Sequence, residues 1–420
     1  MIGNVIVGQS GGPTAVMNSS LVGVYKTAFD LGHGSEIYGM MNGISGLLKE
    51  SIVDLSEHIR DDLDIELFKR TPSAYLGSCR YKLPEIGEND VIYNHVFETL
   101  YKYGIRNFFY IGGNDSMDTV YKLSQYAEKI GAPISFIGIP KTTDNDLMVT
   151  DHAPGYGSAA KYIGTITKEL IRDGYVYDSG MVTVLEVRGR GSGWLAGAAA
   201  LAKGEDCDGP DLIYLPELPM DIEDFLDRVG QLRKEKKAVL VVVADGVKLA
   251  DGRYVCELAK PTLFYDAFGN PSLSGTAQYL VDRIIERYGC EARAVGFNSM
   301  QRCASHIVSR VDMTEAFQVG GAAVRAAFDG ETGKMVTLER LLQDPYQCAT
   351  GLCSLRDVAG QSRPIPQEWI DPYNMNVDPE FLRYVRPLIQ ADLPPIMVDG
   401  LPRHAFFREK KQQDWNPMMM

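Results

Sequence analysis

ISFIGIPKTTDND, residues 134–146, sets an unbroken apolar run against a cluster of charged and polar groups. Its first half, ISFIGI, shows no alternation of polar and apolar positions. Strands buried on both faces read this way, as in parallel sheets covered by helices. Its second half places a lysine, two threonines, an asparagine and two aspartates where the strand leaves the core. The same order recurs along the chain. NVIVG (4–8) leads into QSGGPT, NFFYI (107–111) into GGNDS, MVTVLEV (181–187) into RGRGSG, and AVLVVVA (238–244) into DGV. Helical spacing follows the first turn to about residue 31, then MDTVYKLSQYAEKI, then residues 157–173. Strand, glycine turn and helix in repetition predict a doubly wound α/β fold. Ligands of such folds gather at the carboxyl ends of the strands, so each junction is a candidate site wall.

Working outward, 420 residues allow two or three domains. No low-complexity linker divides the chain, which predicts domains built from interleaved segments. SEHIRDDLDIELFKR (56–70) reads as a polar surface excursion. Beyond about residue 345 the pattern weakens into an ordered but irregular extension, and REKKQQDWNPMMM (408–420) reads as a frayed tail. Apolar content of 45% with 23% charged residues is that of a soluble globular chain. A net charge of -13 argues against nucleic acid as the main partner, although a local basic pocket can still bind phosphate. Seven cysteines without a CxxC pair are expected to be reduced thiols. MIGNVIVGQSGG reads as a first strand and not a signal peptide. No stretch reaches the ~20 apolar residues that cross a bilayer, so no membrane partner and a cytoplasmic location are expected.

The junctions supply the parts for moving a phosphoryl group. GQSGGPT and GGNDS are glycine turns ahead of helices, where backbone N–H groups and the helix N-terminus favour an anion. Either is also compatible with a tight turn or a helix cap without a ligand. In PKTTDND, Asp144 can take a proton from an attacking hydroxyl. Asp146 can hold Mg²⁺, and Lys141 can neutralise a transferring phosphoryl group. Arg188 and Arg190 follow another apolar strand, where guanidinium forks suit phosphate oxygens. Asp245 can accept sugar hydroxyls, and Arg80, Arg293 and Arg302 are further cationic candidates. GxGxxG spacing after the first strand is missing, which argues against a nicotinamide dehydrogenase.

In order and spacing, SGG (10–12), LGSCR (76–80), GGNDS (112–116), PKTTDND (140–146), PGYGSA (154–159), EVRGRGSGWLA (186–196) and QR (301–302) resemble the phosphofructokinase family. The resemblance implies two doubly wound, mostly parallel-sheet domains. Residues 1–155 with roughly 303–345 would form the phosphate-donor domain, 156–302 the sugar-phosphate domain, and 346–420 an extension packed on both. By position, Gly11 and Arg80 resemble donor-phosphate ligands, with Ser116 beside them. Asp144 matches the base that deprotonates the 1-hydroxyl of fructose 6-phosphate. Thr142, Thr143 and Asp146 match its loop neighbours. Gly189 and Arg190 match the residues that follow the sugar and the moving phosphoryl group. Asp245 stands where a sugar-binding Glu is usual, Arg302 matches a 6-phosphate ligand, and Arg293 resembles an arginine that reaches a neighbouring subunit's site. A homodimer or homotetramer and Mg²⁺ are implied with them.

Within the resemblance, Asp115 and Lys141 stand where ATP-using members have small residues, and this pair marks pyrophosphate users. A carboxylate at 115 fills and charges the space of an α-phosphate, and a lysine at 141 suits a leaving phosphate. The expectation is phosphoryl transfer from pyrophosphate to fructose 6-phosphate. An ATP-dependent kinase, a kinase for another ketose phosphate such as sedoheptulose 7-phosphate, and a binding protein without chemistry are the alternatives. Asn114 occupies the position of a usual metal-binding Asp, and an amide is a weaker ligand for a hard cation. Met181, Arg188 and Ser299 also depart from the usual residues around the sugar phosphate.

Overall fold

The computed structural model describes residues 2–176, 178–259, 264, 265, 269 and 271–407; the tail 408–420 lies outside the described residues. Two sheets organise the chain. The first has seven strands in the order β11-β10-β5-β4-β1-β2-β3. They are β1 (Asn4–Gln9), β2 (Ile37–Met40), β3 (Ile52–Asp54), β4 (Ile105–Gly112), β5 (Ser135–Pro140), β10 (Lys334–Leu342) and β11 (Gln347–Ser354). The strands from β2 through β1, β4 and β5 to β10 pair in parallel, and β3 and β11 close the two edges antiparallel. The second sheet has β6 (Met181–Val187), β7 (Leu212–Tyr214), β8 (Ala238–Ala244) and β9 (Ala292–Gly296), all parallel, in the order β7-β8-β6-β9.

The apolar runs explain the layering. In β1, Val5 and Val7 join a core with the helices Met17–Leu31 and Arg310–Phe328, while Ile6 faces the helices Asp90–Lys102 and Asn114–Ile130 on the other side. A strand with both faces covered has no use for polar alternation. In β8 every residue is buried. Its sheet packs under the helix Tyr156–Gly174 and under the extension, through Phe381, Val385 and Leu388. The excursion at 56–70 is only partly peripheral: it contains the helix Asp62–Lys69, and Ile59 and Phe68 reach the core. The amphipathic turn had too few apolar positions to announce this. All seven cysteines are free. Among the described residues no helix is long and apolar enough to cross a membrane.

A buried ion network ties the layers together behind the site. His152 is 1% exposed, with Nδ1 2.8 Å from Asp151 and Nε2 2.7 Å from Glu315. Arg340 pairs with Asp151, and the Tyr346 hydroxyl donates to Glu315. Burial opposes charge on His152, but Glu315 and Asp151 outweigh it and raise the imidazole to about 9. A raised folded-state value stabilises fully below the unfolded value of about 6.5, and the gain is lost as pH climbs through about 9. The melting temperature is therefore expected to fall across that window. His152→Gln should lower it throughout and flatten its pH dependence; an unchanged slope in the variant would assign the decline to other groups.

Candidate active site

The carboxyl ends of both sheets open onto one cleft of about 270 Å³. The first sheet brings Gly11 and Gly12 after β1, Asn114, Asp115 and Ser116 after β4, and Lys141, Thr142, Thr143, Asp144 and Asp146 after β5. Arg80 joins them from the loop before the helix Asp90–Lys102. The second sheet brings Arg188, Gly189 and Arg190 after β6, Asp245 after β8 and Arg302 from the turn beyond β9. Two expected residues lie elsewhere. Arg293 sits within β9, where Nε donates to Thr183 and a terminal nitrogen is 2.6 Å from Asp173, away from this chain's own cleft. Ser299 caps the short helical turn Met300–Arg302 and accepts a long 3.5 Å bond from Arg302 without lining the cleft.

The wall from the first sheet is built on backbone. Gly11 has φ +75, and a Cβ there would come 3.2 Å from the Lys141 ammonium, so the turn needs glycine for conformation and for room. Lys141 is 3% exposed, and its Nζ donates to Gly12 O at 2.6 Å. Burial pulls this ammonium down to about 8, despite Asp144 and Asp146; Arg302 and Arg80 push the same way as burial. The N-terminus of the helix Asn114–Ile130 faces the cleft, an arrangement that favours anions. Asn114 spends its amide locally: Oδ1 accepts from the Asp115 N–H at 2.8 Å and Nδ2 donates to Gln361 O at 3.1 Å. Desolvation raises the Asp115 carboxyl, with Arg190 opposing.

The loop after β5 is held at its root, where Lys141 N donates to Gly112 O and Thr142 N to Pro154 O. Asn145 then takes φ 52, a left-handed conformation that Asn tolerates better than most residues. That turn lets Asp144 and Asp146, on either side, both reach the cleft. Thr142 Oγ1 accepts from Asp144 N and donates to Asp146 Oδ1, and Thr143 Oγ1 donates to Asp144 Oδ1. Burial and the neighbouring Asp144 push Asp146 up to about 6. Two acidic groups this close, with one reluctant to ionise, make a donor set suited to a hard divalent cation.

On the wall from the second sheet, Asp245 is 8% exposed and accepts the Gly189 N–H at 2.8 Å. Burial lifts its carboxyl to about 7, with Arg188 opposing. A Cβ on Gly246 would meet Arg190 O at 2.2 Å, so the end of β8 passes directly beneath the arginine loop. Ser192 Oγ donates to Asp144 O at 3.2 Å and joins the two walls. Lys141, Arg80, Arg188, Arg190 and Arg302 thus face Asp115, Asp144, Asp146 and Asp245 across one cleft. Burial first, and then the Arg188 charge, lower both Arg80 and Arg302. Crowded cations of this kind are relieved by polyanionic ligands.

Several residues that shape the cleft gave no sequence signal. Phe264, Pro271, Ser272 and Leu273 close one side. Glu217 accepts N–H groups from Gly193 and Ile365, and Arg363 reaches carbonyls of the loop after β5. Their work is done through backbone groups that only the folded chain brings near.

Known proteins resemble this chain over most of its length. The family described as phosphofructokinase matches residues 4–327. A protein of Halomonas elongata named pyrophosphate–fructose 6-phosphate 1-phosphotransferase is 37% identical over 406 residues, 96% of this chain and 95% of the relative. A protein of Alkalicoccus urumqiensis named sulfofructose kinase is 33% identical over 398 residues, 93% of this chain and 96% of the relative. The crystal structure of a pyrophosphate-dependent phosphofructokinase from Marinobacter aquaeolei superposes with a TM-score of 0.85 at 35% identity, covering 99% of this chain and 100% of that one. The similarity runs through nearly the full length, and the chain belongs to the phosphofructokinase family.

Proposed function

We propose that the protein is an enzyme that transfers a phosphoryl group from pyrophosphate to the 1-hydroxyl of fructose 6-phosphate, reversibly, giving fructose 1,6-bisphosphate and phosphate. The observation that carries the choice of donor is the buried Lys141 ammonium on the floor of the donor wall, with the Asp115 carboxylate lining the same wall. A diphosphate gains a cation there, while a nucleotide's α-phosphate meets a carboxylate.

In this reading the sugar's 6-phosphate lies against Arg302, and Asp245 accepts a hydroxyl of the ring. Asp144 takes the proton of the 1-hydroxyl as that oxygen bonds to the nearer phosphorus. The bond from this phosphorus to the bridging oxygen breaks, and its electron pair leaves with the second phosphate. Lys141 and Arg80 offset the charge on the leaving group, and Arg190 offsets charge on the moving phosphoryl. Asp144 then returns its proton to solvent. Asp146, with Asp144 beside it, would hold a divalent cation, which we assign as Mg²⁺. Such an ion supplies charge neutralisation to the phosphate oxygens when bound. Asn114 stays at the edge of that set, because its amide is engaged elsewhere.

The same reading divides the chain into a donor domain, residues 1–155 with 303–345, and a sugar-phosphate domain, 156–302, with 346–420 packed on them. Sheet membership of β1 to β5 and β10 against β6 to β9 supports the split at 155 and 303, while β11 (Gln347–Ser354) extends the first sheet beyond residue 345. It also takes the protein to be a cytoplasmic homodimer or homotetramer, in which Arg293 can serve a neighbouring subunit. Ser299 and Arg293 lie outside this chain's cleft, so the far end of the acceptor is less confined, and a longer or differently charged ketose phosphate is the second reading. A matrix of donors (pyrophosphate, ATP) and acceptors (fructose 6-phosphate, sedoheptulose 7-phosphate) with Mg²⁺ tests both. The expected result is the highest kcat/KM with pyrophosphate and fructose 6-phosphate; faster turnover with ATP overturns the donor.

A further inference from the structure

The extension crosses behind the catalytic loop at residues 360–365, outside the cleft itself. Arg363 is the centre of this crossing. Its backbone N–H donates to Asp146 O at 2.8 Å, one guanidinium nitrogen donates to Thr150 O at 2.8 Å, and the other donates to Asn145 O at 3.1 Å. Its carbonyl accepts from Trp194 Nε1, and its guanidinium carbon lies 5.0 Å from the Trp194 ring centre. Just upstream, Gly360 N and Gln361 O bond to the backbone and side chain of Asn114. Just downstream, Ile365 N shares Glu217 with Gly193 of the arginine loop.

We propose that residues 360–365 are a strap by which the extension aligns the cleft loops, with Arg363 as its positioning residue. Its two carbonyl bonds bracket residues 146–149. That bracket contains Val149 at φ 69, a conformation that β-branched residues avoid and that persists only where neighbours impose it. Removing the guanidinium orphans both carbonyls, lets the bracket relax and moves the Asp146 carboxylate. The strap also gives a reason for asparagine at 114. The Nδ2 donor meets the Gln361 carbonyl, where an aspartate would set two acceptors against each other. The inference about turnover rests on the pyrophosphate reading; the alignment of the loop does not.

Three variants test it: Arg363→Met, Arg363→Ala and, as a control, Val377→Ala, which loosens the extension's packing on the second core without touching the loop. Arg363→Met is expected to lower kcat by about a hundredfold, the scale of a small misplacement at the reacting centre, with KM for the sugar phosphate little changed. The Mg²⁺ concentration for half-maximal rate should rise, and amides 145–151 should lose protection from hydrogen exchange. Millimolar guanidinium should restore part of the Arg363→Ala activity, and Val377→Ala should lower the melting temperature while keeping kcat. Unchanged exchange at 145–151 in Arg363→Met, or an equal kcat loss in Val377→Ala, overturns the strap. If the wild-type protein shows no turnover with pyrophosphate, the proposed function fails, and the exchange result alone decides the alignment.

Discussion

Asp144→Asn is expected to lower turnover by about 10³ to 10⁴, near the upper end of what a positioned base supplies. The substitution keeps size and hydrogen-bonding shape, so Thr143 Oγ1 and Ser192 Oγ retain their partners at residue 144. What disappears is the capacity to receive the hydroxyl proton while the new bond to phosphorus forms. Binding of fructose 6-phosphate, measured by calorimetry, should persist within a few-fold. Removing the negative charge also takes away one of the causes that raise Asp146, so its carboxyl should titrate lower in the variant. A variant that kept most of its kcat would transfer the role of base to another group, with Asp146 the next to test.

Lys141→Met is expected to reduce the pyrophosphate-dependent rate by about 10² to 10³, the usual loss on deleting one preorganised charge-stabilising donor. Its signature goes beyond rate. Burial holds this ammonium down at about 8. An arriving polyanion sets negative charge against that depression, so the bound value rises. Near pH 8 the free lysine is partly neutral, and binding must therefore take up a fraction of a proton. Calorimetry in buffers of different ionisation enthalpy reads this directly, and Lys141→Met should diminish it by the lysine's share. Pairing Asp115→Gly with Lys141→Gly should improve kcat/KM for ATP. Failure to gain any ATP turnover would show that these two residues do not account for the choice of donor.

Legibility followed burial. The strands β1, β4, β5, β6 and β8 announce themselves because both faces need apolar residues. β7 has three residues, and β9 is only half-buried and carries an arginine, so neither leaves a run to read. β11 lies where the pattern weakens: it is an edge strand with mixed exposure. The residues at strand ends were legible for a related reason, since charged groups directly after a core strand have to face something other than the core. Fifteen of the predicted positions line the cleft: Gly11, Arg80, Asn114, Asp115, Ser116, Lys141, Thr142, Thr143, Asp144, Asp146, Arg188, Gly189, Arg190, Asp245 and Arg302. Arg363 and Glu217 were silent because they meet the loops from distant parts of the chain and act on carbonyls and N–H groups, which every residue has.

The backbone passes from the first sheet to the second after β5, returns before β10, and leaves again after β11 to pack beneath β6 and β8. Neither half is thus a contiguous stretch of gene. Recombination between relatives cannot exchange one half as a cassette with a single crossover, and a nascent chain cannot complete its first sheet until the second sheet has emerged from the ribosome. The loops at the strand ends are where point substitutions can change donor or acceptor while leaving this interleaved frame intact.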